Sequence, residues 1–267
     1  MPGTIGFIGC GNMGHAIVHG AITHRVIDPS AISIVEKSAG RREWAESQGC
    51  AALTDVADLQ PVDQLVLAVK PQSFPEVADE LGRLDHPCIV TSVMAGIRSS
   101  RIREALGEHA RVIRTMPNTP AMIGHGVAGV AMGDGSREGD ELLARELLDS
   151  IGTTIMVDES MMDVVTAVSG SGPAYVYLLA EAWEKAAIEL GLEQSDARHF
   201  VQQTIRGASA MMLENDIEPS ELRAAVTSKG GTTAAALDVM IQRDIPGIVK
   251  DAIEAAADRG RELAGDS

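Results

Sequence analysis

The sequence predicts an α/β protein with a doubly wound parallel sheet in its N-terminal half and an all-α domain in its C-terminal half. Short apolar segments alternate with helical ones up to about residue 157, which is the pattern of βαβ units. Beyond about residue 160, long alanine-rich segments carry apolar residues at spacings of three and four, which indicates helices. We therefore predict two domains, 1–158 and 159–267.

The apolar segments set the order of the predicted elements. The middle strands are almost continuously apolar, as in Leu65-Val66-Leu67, which is expected where helices cover both faces of a sheet. Pro173, Ser195 and Pro219 stand near predicted helix starts. The predicted strands are 4–8, 31–36, 64–69, 88–93, 111–116, 126–132 and 153–157. The predicted helices are 12–24, 39–48, 73–83, 99–106, 138–151, 174–190, 197–214 and 246–264.

A glycine-rich turn follows the first predicted strand and opens the first predicted helix. It reads Gly9-Cys10-Gly11-Asn12-Met13-Gly14, a GxGxxG pattern. Gly9 permits the tight turn, Gly11 lets the backbone approach phosphates, and Gly14 lets the helix pack closely on the strand. Glu36 ends the next strand, where an acidic residue is expected to bind ribose. The pattern in this context predicts a Rossmann-type dinucleotide-binding domain.

Composition excludes several other classes of protein. The net charge of −16 disfavours nucleic acid and anionic membrane surfaces as main partners. We find no apolar run near the ~20 residues of a membrane span and no signal-peptide pattern. Cys10, Cys50 and Cys88 show no paired spacing, which is typical of a reducing cytoplasm. His15 and His19 share a helix face, but no third ligand accompanies them, so we predict no metal site.

Three segments follow predicted parallel strands at the edge where an open α/β sheet binds its ligand. Pro71 ends the first strand so that Lys70 emerges there, Ala95 and Gly96 offer a small surface for a flat ring, and Asn118 lies between two prolines. Each segment is also typical of an ordinary turn between a strand and a helix, with no functional role. Their shared position favours the functional interpretation.

A hydroxyl-rich turn occurs in the helical half of the chain. It reads Ser228-Lys229-Gly230-Gly231-Thr232-Thr233 and precedes a helix that we predict to begin at Ala234. Backbone N–H groups and hydroxyls at a helix start suit a carboxylate, although an ordinary capped helix start has the same composition. A related turn, Ser169-Gly170-Ser171-Gly172-Pro173, opens the long helix near residue 174, and there we favour close helix packing.

Taken in order along the whole chain, these motifs closely resemble pyrroline-5-carboxylate reductase. The matching segments are residues 6–14, Ala-Val-Lys-Pro at 68–71, Met-Pro-Asn-Thr-Pro at 116–120, residues 169–175 and Val-Thr-Ser-Lys-Gly-Gly-Thr-Thr at 226–233. The resemblance implies NADPH- or NADH-dependent reduction of Δ1-pyrroline-5-carboxylate to L-proline. It also implies a helical domain like the C-terminal domain of 6-phosphogluconate dehydrogenase, dimers that in many members build larger rings such as decamers, and a cytoplasmic enzyme of proline biosynthesis.

The resemblance also implies roles for individual residues. Thr233 lies against the ring nitrogen of the substrate and is the expected catalytic residue. The substrate is bound by Glu159, Ser228, Gly230, Gly231, Thr232 and Thr233. The coenzyme is bound by Gly9, Cys10, Gly11, Asn12, Met13, Gly14, Glu36, Lys37, Ser38, Ala68, Val69, Lys70, Pro71, Ala95, Gly96 and Asn118. The glycine turn and the hydroxyl-rich turn are then expected to face a shared cleft, within one subunit or between two.

Some positions depart from the family pattern or leave alternatives open. Lys229 replaces a common proline, and Ala225 stands where some members have a coenzyme-contacting Asn. Glu36 favours NADH, whereas Ser38 with the neighbouring arginines Arg41 and Arg42 favours a 2′-phosphate, so the coenzyme stays NADPH or NADH at this point.

Two other functions compete with this interpretation. β-Hydroxyacid dehydrogenases place a catalytic lysine four residues after the glycine of their helix-opening turn, but Val176 stands there, four residues after Gly172. A non-catalytic NAD(P)H-binding redox sensor would not need the intact turn at 228–233.

Overall fold

The structure is a computed structural model that describes residues 3–215 and 217–265. The chain divides into two compact units. The first unit contains the residues up to Ser171 together with those from Ala255 onward, and the second contains Gly172–Glu254. The predicted domain boundary between residues 158 and 159 stays a prediction, because a compact unit need not coincide with a domain.

The first unit is built on an eight-stranded sheet in the order β3-β2-β1-β4-β5-β6-β7-β8. Strands β1 to β6 pair in parallel, as the sequence predicts. The strand order reverses between β1 and β4, so that the ends of these two strands form the switch point of the sheet. The strands are β1 (Ile5–Ile8), β2 (Ile32–Val35), β3 (Ala51–Leu53), β4 (Gln64–Leu67), β5 (Cys88–Ser92), β6 (Ala110–Met116), β7 (Gly126–Met132) and β8 (Gly152–Met156).

Helices cover both faces of this sheet, which explains why its central strands are mainly apolar. Ile17 of α1 and Leu147 of α5 lie in the core on one face, and Phe74 of α3 and Ile102 of α4 lie in the core on the other. The helices of this unit are α1 (Asn12–Thr23), α2 (Ala39–Ser47), α3 (Phe74–Leu81), α4 (Ser99–Leu106), α5 (Leu142–Asp149) and α6 (Met162–Val165).

The structure corrects the sequence prediction at three places in this unit. Strand β3 was not predicted, because three residues are too few to show a pattern. Strand β7 is antiparallel to β6, since the connection between Met116 and Gly126 is too short for a parallel crossover. The predicted turn at 169–173 is instead a π-helical turn over Thr166–Gly170 that leads into the next helix. A Cβ on Gly170 would lie 2.6 Å from the Met116 methyl group, so this segment packs closely on the end of strand β6 and not on another helix.

The second unit is helical. It contains α7 (Gly172–Glu189), α8 (Gln194–Asn215), α9 (Pro219–Ala225) and α10 (Thr232–Gln242), and α11 (Ile245–Ala264) begins in it. Helix α9 begins at Pro219, where the sequence predicts a helix start without giving its extent, and α10 begins two residues before the predicted Ala234. Many of its large apolar side chains are exposed in the single chain, including Tyr177, Leu178, Phe200, Val239 and Ile241. Exposed apolar surface on this scale is typical of an interface.

Candidate active site

The glycine turn lies at the switch point of the sheet, where the backbone segments approach too closely for side chains. Gly9 has φ +93°, and a Cβ there would lie 2.8 Å from the carbonyl oxygen of Ala68. A Cβ on Gly14 would lie 2.5 Å from the carbonyl oxygen of Gly9. Both glycines are therefore required by sterics, as the GxGxxG pattern predicts.

Helix α1 presents its N-terminus at this turn. Gly11 is the N-cap residue, with extended backbone angles, and the first bond of the helix runs from the His15 N–H to the Gly11 carbonyl oxygen at 2.8 Å. The N–H groups of Asn12, Met13 and Gly14 precede that bond and have no partner within the helix. They provide the donors and partial positive charge that a pyrophosphate needs, so the turn fits a dinucleotide.

Two side chains from the neighbouring β2–α2 segment brace the glycine turn. Glu36 accepts hydrogen bonds from the N–H groups of Cys10 at 2.7 Å and Ser38 at 2.8 Å. Arg41 donates to the Cys10 carbonyl oxygen at 2.8 Å and to the Asn12 side-chain oxygen at 3.3 Å. Sequence reasoning named Arg41 only as a candidate for a 2′-phosphate. Its contact with the glycine turn could not be predicted, because it joins residues about thirty positions apart.

A cavity of about 290 Å³ opens beside this turn. It is lined by predicted coenzyme contacts from three segments, among them Gly9, Gly11, Glu36, Ala68, Val69 and Lys70. Parallel strands β1, β2 and β4 bring these segments to one edge of the sheet. Residues distant in the sequence are thereby placed around one space at the switch point of the sheet.

The remaining predicted coenzyme contacts lie at the ends of β4, β5 and β6. Lys70 is exposed at the end of β4, where Pro71 begins a short 3₁₀ turn. Gly96 has φ +72°, and a Cβ there would lie 3.3 Å from the Leu263 Cβ. Asn118 is buried and uses its amide within the protein, accepting from the Val127 N–H and donating to the Ser169 carbonyl oxygen, both at 3.1 Å. The roles of these residues toward the coenzyme stay predictions.

Glu159 lies in a network of charged groups inside the first unit. Its carboxylate accepts from the N–H of Ser99, the first residue of α4, at 2.8 Å and pairs with Arg114 at 3.2 Å. Arg114 is only 3% exposed. The one sequence signal for it is that a charged residue occurs within an otherwise apolar strand, and this signal does not identify Glu159 as its partner. Burial alone would raise the pKa of Glu159, but hydrogen bonds from Ser99 and the charge of Arg114 hold it below its ordinary value. Its predicted substrate contact stays a prediction.

The hydroxyl-rich turn of the second unit leads directly into α10. The Gly231 N–H donates to the Ser228 carbonyl oxygen at 3.0 Å, and Gly230 has φ +72°, which closes the turn. Gly231 is the N-cap residue of α10, so Thr232 and Thr233 occupy its first two positions. Thr233 is half-buried, whereas Ser228 and Thr232 are exposed. The turn therefore combines helix N–H donors with hydroxyl groups, as a carboxylate site requires.

The histidine and cysteine side chains near the glycine turn are packed against other residues. The His15 ring lies 4.0 Å from that of Trp44, and burial, followed by the neighbouring His19, lowers the pKa of His15. Burial raises the pKa of the Cys10 thiol to about 11, so this thiol is neutral at pH 7. Within residues 3–215 and 217–265, no group of three or more His, Cys, Asp or Glu side chains is placed to hold a metal ion.

Comparison with known proteins assigns the chain to a family. A family model described as pyrroline-5-carboxylate reductase dimerisation matches residues 159–263. The pyrroline-5-carboxylate reductase of Haemophilus influenzae is 37% identical, and the match covers 97% of both chains. The enzyme of that name from Arabidopsis thaliana is 35% identical over 97% of this chain and 95% of its own. This chain belongs to the pyrroline-5-carboxylate reductase family.

Solved structures agree with this membership of the pyrroline-5-carboxylate reductase family. A pyrroline-5-carboxylate reductase from Coxiella burnetii has a TM-score of 0.91 and 33% identity, with 99% of each chain covered. A pyrroline carboxylate reductase from Plasmodium falciparum with NADP bound has a TM-score of 0.84 and 27% identity over 98% of each chain. A second family model, NADP oxidoreductase coenzyme F420-dependent, matches residues 4–96. The predictions of fold, of an NAD(P)H-dependent oxidoreductase and of self-association are confirmed.

Proposed function

We propose that this chain reduces Δ1-pyrroline-5-carboxylate to L-proline with NADH or NADPH, the last step of proline biosynthesis. The observation that carries the proposal is the glycine turn at the switch point of the sheet. The backbone at Gly9 and Gly14 leaves no room for a Cβ, and the N-terminus of α1 opens at this turn. Family membership then supplies the substrate, which the names of the relatives specify.

The protein's contribution to this reaction is to bind and orient two rings and to exclude water between them. When bound, the coenzyme would supply a hydride to C5 of the pyrroline ring and become NAD(P)⁺, and the π electron pair of the C=N bond would move to the ring nitrogen. Residues 9–14 hold the pyrophosphate, and Ala95 and Gly96 form the small surface beside the nicotinamide. These roles rest on the family resemblance and on the position of both segments at the sheet edge.

The turn at 228–233 binds the substrate in this proposal. Ser228, Gly230, Gly231 and Thr232 accommodate the carboxylate at the N-terminus of α10, and the Thr233 hydroxyl hydrogen-bonds the ring nitrogen. A threonine hydroxyl is a poor acid, so the nitrogen arrives already protonated or receives its proton from water. The imine carbon is more electrophilic in that protonated form. Glu159 contributes from the first unit by holding the start of α4.

Assembly and location complete the proposal. The chain self-associates through the region that matches the dimerisation family model, and we expect dimers that build a larger ring such as a decamer. The cysteines Cys10, Cys50 and Cys88 are all free and buried, which suits a cytoplasmic enzyme. Among the described residues, we find no helix with the length and apolarity needed to cross a membrane.

One assay separates this function from its alternatives. Purified protein is mixed with NADH or NADPH and Δ1-pyrroline-5-carboxylate, and both coenzyme absorbance and proline formation are followed. If one mole of proline forms for each mole of coenzyme that is oxidised, the proposal is supported. Oxidation of a β-hydroxy acid by NAD⁺ or NADP⁺ with no pyrroline reduction indicates a β-hydroxyacid dehydrogenase. Coenzyme binding without turnover of either substrate indicates a redox sensor.

A further inference from the structure

We propose that this chain selects NADH over NADPH and that Glu36 is the residue that sets the choice. The inference rests on the proposed function, since it concerns the coenzyme of that reaction. It depends on the contacts of one carboxylate and of the three cationic side chains around it.

The Glu36 carboxylate is fixed at the place where the adenosine ribose is expected. Glu36 directly follows β2, which pairs in parallel with β1, so it lies beside the glycine turn and lines the same cavity. Hydrogen bonds from the N–H groups of Cys10 and Ser38, at 2.7 and 2.8 Å, hold one oxygen each. A carboxylate oxygen has two acceptor sites, so both oxygens can still accept from ribose hydroxyls.

The 2′-phosphate of NADPH would be disfavoured by the Glu36 carboxylate. The phosphate replaces a hydroxyl donor with oxygens that accept, and it adds a charge of about −1.5 to −2 next to another negative charge. Glu36 cannot move aside without giving up the two N–H groups that it binds. Binding of NADPH therefore loses a hydrogen bond and gains a repulsion.

The three cationic side chains that lie near Glu36 in the sequence are each engaged elsewhere. Arg41 donates to the Cys10 carbonyl oxygen and the Asn12 side chain. Arg42 donates to the carbonyl oxygens of Glu36 and Lys37, both at 2.8 Å. The Lys37 ammonium pairs with Glu76 at 2.9 Å. The segment that the sequence left open between the two coenzymes is thus arranged in the structure for a ribose with free hydroxyls.

Direct binding to the whole protein, without substrate, tests the inference. Dissociation constants for NADH and NADPH are measured by coenzyme fluorescence, and those for ADP-ribose and 2′-phospho-ADP-ribose by competition, at one fixed ionic strength. We expect the wild-type protein to bind NADH at least about tenfold more tightly, the usual scale of one charge-assisted hydrogen bond. Equal or tighter binding of NADPH overturns the inference whatever the variants do.

Two variants test whether Glu36 sets the preference for NADH. Glu36→Gln removes the charge while keeping the size of the side chain, and we expect it to reduce the NADH-to-NADPH ratio by about tenfold or more. Glu80→Gln removes another carboxylate from the same cavity and should leave the ratio within about twofold. Equal shifts in both variants would show that overall charge, and not Glu36, selects the coenzyme. Pyrroline reduction measured in parallel reports separately on the proposed function.

Discussion

Helices α1 and α10 both begin after an extended glycine, Gly11 with φ −60° and ψ −172° and Gly231 with φ −80° and ψ 174°. In both, the first N–H groups of the helix are left for an anion. The start of α1 is enclosed by neighbouring backbone and braced by Glu36 and Arg41, whereas the start of α10 is more open and rich in hydroxyls. If the proposed roles hold, backbone groups at the start of α1 bind the large pyrophosphate, while hydroxyls at the start of α10 also orient a small substrate.

The largest effect is expected where the first helix start has no spare room. In Gly14→Ala the new Cβ would lie 2.5 Å from the Gly9 carbonyl oxygen and 3.3 Å from the Ala68 Cβ, so backbone must shift. Overpacking of this kind costs about 1–3 kcal/mol, and here the shift falls on the N–H groups that we propose bind the pyrophosphate. We expect coenzyme to bind roughly 100-fold more weakly, measured by fluorescence titration.

Gly40→Ala is the matched control for that substitution. Gly40 lies in α2 of the same unit, and a Cβ there meets no heavy atom within 4 Å. Its coenzyme affinity should stay within about twofold of wild type, because alanine suits a helix better than glycine does. An unchanged affinity in Gly14→Ala would show that the first helix start tolerates movement, and the contrast between the two helix starts would then fail.

The hydroxyl of Thr233 tests the orienting role of the second helix start. Removing it in Thr233→Ala should lower kcat/KM for the pyrroline by roughly 100-fold or less, the scale of one positioned hydrogen bond. Coenzyme affinity should not change. Thr233→Ser should restore much of the activity, and Thr227→Ala controls for the loss of a hydroxyl that instead donates to the Arg223 carbonyl oxygen. A loss beyond about 10⁴-fold would make Thr233 more than an orienting group.

The two helix starts also differ in how much of them the sequence could predict. The turn at 9–14 was predictable in detail, because its requirements are local: a turn, a close approach and a helix start within six residues. The start of α10 lies two residues before the predicted one, because Thr233 suits an N-cap as well as Gly231, the N-cap in the structure, does.

Contacts between distant residues were beyond sequence reasoning. Arg41 meets the glycine turn only because α2 follows β2 beside β1, and Arg114 meets Glu159 only because the chain returns to β6. Strand β3 lacked a pattern altogether. Residue types at strand ends therefore predicted which segments meet at the edge of the sheet, but not which charged groups are already paired there.

Gly231 tests how tightly the second turn is closed. In Gly231→Ala the Cβ would lie 2.4 Å from the Ser228 hydroxyl oxygen, which can rotate away, and 3.3 Å from the Ser228 carbonyl oxygen. Because a side-chain rotation relieves most of the clash, we expect KM for the pyrroline to rise only about tenfold, with kcat less affected. Initial rates at saturating coenzyme measure both. A loss as large as that in Gly14→Ala would mean that the two turns are equally rigid.

Lys229 provides the smallest and most diagnostic change. Its side chain is exposed next to the turn, where a family proline is common, so its charge is screened by water and salt. Exposed pairs contribute about 0.2–1 kcal/mol, so Lys229→Gln should raise KM less than about fivefold. The measurement is repeated at low and high ionic strength. A rise in KM above about tenfold that disappears at high salt would show that the start of α10 attracts the substrate carboxylate by charge and not by hydroxyls. The two helix starts would then differ in their electrostatics.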